Sequence, residues 1–212
     1  MRLKTLTRTI MKIVIVDYGM GNIFSLAGAL NYLGITPTIS HQVDDIYQAD
    51  KLFLPGVGAF NHAMQNIKNR GLDNTLRTAI IENKKPILGI CLGMQLMGKS
   101  STENQLCEGL DFIKGEVNKL KDGGGKIPHV GFNQVSIPNN SRLYKNLQNM
   151  SDFYFTHGFK IESDKNINAA YCHYGEAFIA SYEKENIAGV QFHPELSQTN
   201  GLQLLKNFIE NF

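Results

Sequence analysis

Residues 86–95 read Pro86-Ile87-Leu88-Gly89-Ile90-Cys91-Leu92-Gly93-Met94-Gln95, and the change of pattern inside this run decides the fold. The apolar residues after Pro86 have the length and character of a buried strand. The strand stops at Gly-x-Cys-x-Gly, and Leu92, Met94, Gln95, Leu96 and Met97 continue as a helix. Strand, sharp turn and helix form the context of a nucleophile elbow, with a thiol where the hydrolase version carries a hydroxyl. A residue on such a turn is strained, and a side chain on either flanking glycine would collide with the adjacent strand or helix. The helix start beyond it favours a thiolate and the charge that develops on a substrate carbonyl oxygen. Cys91 is therefore a candidate nucleophile, against the commoner fate of a lone cysteine as a small buried apolar residue.

Upstream, Lys12 to Val16 is a short β-branched run closed by Asp17-Tyr-Gly-Met-Gly-Asn22. Leu26, Ala29, Leu30 and Leu33 recur at helical spacing, and Gly34 marks the stop. Strands are predicted at Ile35–Ser40 and Lys51–Leu54, the second running into Pro55-Gly-Val-Gly-Ala-Phe60, with helices over 60–69 and 72–83. This alternation requires a mainly parallel sheet with helices on both faces. Ligands of such sheets bind beyond the carboxyl ends of the strands, where both the Gly56–Gly58 loop and Cys91 fall. Downstream, short strands are predicted at Val117–Leu120, Ile127–Ile137, Phe153–Thr156, Ile167–Tyr174, Phe178–Tyr182 and Ile187–Phe192, most of them antiparallel additions to the same sheet. Turn signals at Asp122–Gly125 and Pro138–Asn140 separate them, and a last helix starts near Asn200. The reading is one α/β domain.

Composition agrees with that class and narrows the function. The 212 residues are 42% hydrophobic and 19% charged, enough for one sizeable core. A formal net charge of +2 gives no electrostatic reason to invoke nucleic acid or an anionic membrane. Three cysteines, Cys91, Cys107 and Cys172, lack any CxxC pair, which suggests free thiols in a reducing compartment. Residues 1–10 are basic, but Lys12 and Asp17 interrupt the apolar stretch that follows and no cleavage site appears. They are read as an N-terminal extension to a domain spanning 11–212, with Met11 a functional start and a cytoplasmic location expected.

A cysteine nucleophile needs a base, an orienter and oxyanion donors. Gln191-Phe-His193-Pro-Glu195 offers the first two: a strand delivers His193, and Pro194 fixes the backbone so that Glu195 can turn onto the imidazole. The donors are backbone N–H groups, one from Leu92 and another from Gly56, Val57 or Gly58. That loop is no phosphate loop, since Gly-Lys-Ser/Thr is absent. His41 and His62 are expected to be inert, and His129 and His157 to line a pocket wall. None has metal-ligand spacing, and neither metal nor cofactor is expected.

Four segments stand in the order seen in triad glutamine amidotransferases: Pro55-Gly-Val-Gly-Ala-Phe60, Gly89-Ile-Cys-Leu-Gly-Met-Gln95, Pro128-His-Val-Gly-Phe-Asn133 and Gly189-Val-Gln-Phe-His-Pro-Glu195. Within that group, residues 11–212 resemble the glutaminase subunits of imidazole glycerol phosphate synthase. Asp17–Asn22, Pro-His-Val-Gly and the Glu103…Gly109-Leu110 stretch carry the narrower likeness. The resemblance implies a flavodoxin-like glutaminase fold in which Cys91 attacks the side-chain amide of L-glutamine, His193 moves the proton and Glu195 orients His193. It also implies that Gln95 and Glu103 hold the glutamine headgroup, helped by backbone at Thr156 and His157. Ammonia would pass to a (βα)₈-barrel synthase subunit in a heterodimer of histidine biosynthesis. Three positions depart from the pattern: Phe132 stands for Trp, Phe159 for an aromatic hydroxyl, and Leu196 for Lys. The resemblance puts all three on the partner face, so a paralogue serving a different barrel, such as one that aminates a sugar for surface polysaccharide, is the alternative. A stand-alone cysteine γ-glutamyl hydrolase is another. A non-catalytic regulatory subunit is disfavoured, because Cys91, His193 and Glu195 are all intact.

Overall fold

β1 (Ile13–Val16) is buried along its whole length, and its residues alternate between two cores. Val14 and Val16 enter one apolar layer, while Ile13 and Ile15 enter the other. In β3 (Lys51–Gly56), Leu52 and Leu54 likewise face the first layer and Phe53 the second. A strand covered on both faces reads as a continuous apolar run, which is why the parallel half was legible. The computed structural model describes residues 11–121, 125–163 and 166–212; the 1–10 extension and most of the Asp122–Gly125 turn lie outside them.

The remaining elements follow in chain order. α1 (Ile23–Tyr32), β2 (Thr38–Ser40) and α2 (Val43–Gln48) fill the first part around β1. After β3 come α3 (Phe60–Asn69), α4 (Leu72–Arg77), β4 (Ile87–Cys91), α5 (Leu92–Leu96), β5 (Ser100–Ser101), β6 (Cys107–Glu108) and β7 (Glu116–Lys119). The second half holds β8 (His129–Ser136), β9 (Ser151–His157), β10 (Phe159–Glu162), β11 (Asn168–Tyr174), β12 (Glu176–Lys184), β13 (Ile187–Val190) and α6 (Gln198–Asn211). α3 and α4 bring Phe60, Ile67 and Leu76 to one face of the sheet. α1 and α6 bring Leu26, Leu30, Leu205 and Phe208 to the other, with Phe208 edge-on to Phe53 at 5.1 Å.

One nine-stranded sheet runs β2-β1-β3-β4-β13-β12-β11-β8-β9. The first five strands are parallel and the last four antiparallel. A second sheet, β10-β7-β5-β6, packs beside it. Two second-half strands therefore depart from expectation. β13 lies in the middle of the sheet, antiparallel to β12 on one side but parallel to β4 on the other, with Gly189 opposite Gly89. Its unbroken burial is the mark of a central parallel strand. β7 leaves the main sheet for the smaller one, whose β5 and β6 are two residues each and too short to show any period. β2 starts at Thr38 rather than Ile35, and the predicted 72–83 helix changes from α to a π-helical turn over Thr78–Glu82.

Candidate active site

Cys91 closes β4 and caps α5 at φ +53° and ψ −111°, a conformation that L residues with side chains rarely adopt. Packing enforces it. A Cβ on Gly93 would lie 1.7 Å from the Leu54 carbonyl oxygen, and one on Gly89 would lie 2.8 Å from the Gly93 backbone. Helix and two strands thus approach closer than any side chain allows, and the chain turns sharply between them. α5 has only five residues, so the helix-dipole contribution expected at the sulfur is that of little more than one turn. Gly56 stands opposite Cys91 in the β3–β4 ladder, which places the Gly56–Gly58 loop against Leu92, and Gly58 adopts φ +102°.

His193 leaves the end of β13 and is pinned from two sides. Its N–H donates to the Tyr154 carbonyl at 2.8 Å, and its own carbonyl accepts from Ser197 Oγ at 2.6 Å. Nδ1 lies 2.8 Å from Glu195 Oε1, with 3% and 1% of the two side chains exposed. A carboxylate accepts only, so Nδ1 carries the proton of that bond and Nε2 is the free end. Asn22 Nδ2 donates to the same Glu195 oxygen at 3.2 Å. His193 Nε2 and Glu195 Oε2 are buried with no hydrogen bond of their own. Burial pulls the imidazole pKa down, but Cys91 and Glu195 outweigh it and push it up to about 10. The ring is built to hold a proton beside the sulfur.

In front of Cys91 lies a cleft of about 430 Å³. Val57, Gly58, Leu92, Gln95, Glu103, Thr156 and His157 line it. The Thr156 carbonyl is 3.9 Å from Cys91 Sγ, and Glu103 Oε2 accepts from the Phe60 N–H at 2.8 Å. Phe132 and Leu196 sit outside the cleft, both flanking Tyr154. Phe132 is edge-on to the Tyr154 ring at 5.5 Å, while Tyr154 backbone bonds to His193 and Ser197 bracket Leu196. Phe159 does not join that outer pair. It packs half-buried against the core and lines the cleft, and its carbonyl accepts from Gln95 Nε2 at 2.9 Å and from His157 Nδ1 at 2.8 Å.

His157 forms cleft wall as expected, but His129 does not. It is opposite His157 in the β8–β9 ladder and lies behind it, sandwiched between Phe155 and Tyr174 with ring centroids 4.8 and 4.0 Å away. Its Nδ1 is 3.2 Å from His157 Nε2. Burial lowers His129 to about 4. Burial lowers His157 to about 3, aided by His129 and His193 and opposed by the Phe159 carbonyl.

Three residues near the sulfur were not singled out from sequence. Gln191 donates to Cys91 Sγ at 3.7 Å. Asn22 supports Glu195, and Tyr18 buries an unpartnered hydroxyl whose pKa is raised by burial and by Cys91. Asn22 and Gln191 stood inside quoted motifs, but nothing local reveals partners 173 and 100 residues away. Among the described residues no group of three His, Cys, Asp or Glu is placed to hold a metal, and no helix is long and apolar enough to cross a membrane.

The arrangement offers a strained thiol, a proton-holding imidazole, an orienting carboxylate and a polar cleft, the parts needed for acyl transfer from a small amide. A family model of glutamine amidotransferase class-I matches residues 14–212. The chain is 46% identical over 198 residues to imidazole glycerol phosphate synthase subunit HisH 1 of Campylobacter jejuni strain RM1221, covering 93% of this chain and 98% of that one. It is 43% identical over 202 residues to imidazole glycerol phosphate synthase subunit HisH 2 of Vibrio vulnificus strain YJ016, covering 94% of each. A crystal structure described as a glutamine amidotransferase superposes with a TM-score of 0.74 at 16% identity, covering 93% of this chain and 97% of that one, a likeness of fold.

Proposed function

The chain belongs to the glutamine amidotransferase class-I family, and from that premise we propose that it is the glutaminase subunit of an imidazole glycerol phosphate synthase, working through Cys91, His193 and Glu195. The observation that carries this reading is the His193 ring, held by Glu195 at 2.8 Å and raised in pKa by the sulfur it faces. In the proposed reaction the thiol proton passes to His193 Nε2 and Sγ bonds to the side-chain carbonyl carbon of glutamine. The oxyanion is met by the Leu92 N–H and a donor from Gly56–Gly58. His193 returns the proton to the departing nitrogen, the C–N bond breaks and ammonia leaves. Water, deprotonated by the same ring, then hydrolyses the thioester to glutamate. Gln95 and Glu103, with backbone at Thr156 and His157, hold the amino-acid end of the substrate. The ammonia goes to a (βα)₈-barrel synthase subunit seated over Phe132 and Leu196, in a cytoplasmic heterodimer.

Complementation tests the pathway. A strain lacking its own glutaminase subunit of this synthase should grow without histidine when given this chain, and fail with Cys91→Ala. A second reading, a paralogue serving a sugar-aminating barrel, draws support from Phe132 and Leu196, which are half exposed at positions where the family pattern carries Trp and Lys. Absence of growth, with glutaminase activity stimulated by another barrel, would select that reading.

A further inference from the structure

Gln191 is wholly buried, and its backbone is fixed by an N–H bond to the Ala180 carbonyl of β12 at 2.8 Å. The orientation of its side-chain amide is dictated by a chain of bonds that begins at a group able only to accept. The Phe159 carbonyl takes protons from His157 Nδ1 and from Gln95 Nε2, so the NH₂ end of Gln95 points inward. The same nitrogen gives its second proton to Gln191 Oε1 at 2.8 Å. The Gln191 NH₂ is thereby turned to Cys91 Sγ at 3.7 Å, and the Gln95 oxygen is left for the cleft. The sulfur thus has an acceptor on one side, the Thr156 carbonyl, and a donor on the other.

We propose that Gln191 is a further catalytic residue, whose amide N–H holds the negative charge on the Cys91 sulfur when its proton has moved to His193. The inference rests on the nucleophile assignment above. As the proton leaves Sγ for His193 Nε2, the sulfur loses its bond to the Thr156 carbonyl and its bond from Gln191 strengthens; Gln191 keeps both of its own protons. A fixed donor that is itself wholly buried acts strongly and needs no reorganisation. The same amide couples the sulfur to Gln95, so the thiolate donor and the substrate-reading oxygen are set by one network.

The test is the pH dependence of iodoacetamide alkylation of Cys91, followed on the Cys91 peptide so that Cys107 and Cys172 do not contribute. The titratable groups facing the sulfur or its cleft are His193, Tyr18, His157 and Glu103, with Glu195 behind His193, and all of them stay in place in Gln191→Met. That variant should alkylate roughly tenfold more slowly than wild type at neutral pH, with the profile displaced to higher pH, the loss expected for a hydrogen bond to a charged group. A second measurement needs no change at 191: the ¹⁵N side-chain signal of Gln191 should move with pH alongside the alkylation profile in wild type and stay flat in Cys91→Ser. An unchanged profile in Gln191→Met, or a Gln191 signal indifferent to Cys91, overturns the inference while leaving the nucleophile assignment standing. Glutaminase activity surviving in Cys91→Ser would overturn both.

Discussion

Behind Cys91 at the floor of the cleft, His193 and Glu195 leave 3% and 1% of their side chains exposed, and each is tied to this chain's own backbone or side chains. At the rim, Phe132 and Leu196 are 50% and 41% exposed, and Phe132 packs only edge-on to Tyr154. The floor is closed by contacts from within the chain: β13 beside β4, Asn22 on Glu195, Ser197 on His193. The rim presents apolar surface that these contacts leave uncovered. The difference separates two questions. What the floor does is decided by internal geometry, so its residues act together; in the proposed function, where the product goes is decided by what covers the rim, so those residues should act one at a time and only when a partner is present.

The largest expected effect lies on the floor. Cys91→Ala should lower glutamate release by at least roughly a thousandfold, with or without a partner, as loss of a covalent nucleophile does; substantial residual activity in a steady-state assay would break the assignment. Glu195→Gln should follow, with a loss of about 10² to 10⁴ in kcat, since the amide no longer fixes the tautomer or stabilises the charged ring. Removal of both groups should cost little more than the worse single change, because they act as a unit.

A smaller effect comes from the histidine pair between floor and rim. Unfolded histidines take up protons below about pH 6.5, whereas folded His129 and His157 resist until about 4 and 3. The contribution of this pair to stability is therefore full above pH 6.5 and falls as the pH drops towards 4, by at most about 1.4 kcal/mol per histidine for each pH unit. His129→Phe, which keeps a ring between Phe155 and Tyr174, should remove about half of that slope in urea denaturation. An unaltered slope would mean that another group titrates there. The smallest effect belongs to the rim: Phe132→Ala should weaken barrel binding by about tenfold, as loss of a moderate interface side chain does, and leave basal glutaminase activity unchanged. A fall in basal activity would blur the division between floor and rim.

The floor was the more legible region, for a physical reason. The elbow is a local device, in which β4, Cys91 and α5 are consecutive, and the crowding that requires Gly89 and Gly93 is written in the same ten residues. His193-Pro194-Glu195 is equally local, one turn joining base and orienter. Gln191 and Asn22 escaped notice because their partners lie 100 and 173 residues away along the chain, brought near by a topology that periodicity does not encode. β13 showed its strand character but not its place, since an apolar run does not say which strand lies beside it. His129 was read as pocket wall and not as a second layer, because alternation along β8 gives the face and not what lies in front of it. Phe159, grouped with Phe132 and Leu196 in the sequence, also lines the cleft through β10, which the motif alone did not show.

The most direct measurement is glutamate release from L-glutamine by the purified chain, alone and with the proposed (βα)₈-barrel subunit. Slow release alone and strong stimulation by the barrel are expected, abolished in Cys91→Ala in both cases. Fast release by the isolated chain, indifferent to any barrel, would contradict it and point to a stand-alone γ-glutamyl hydrolase.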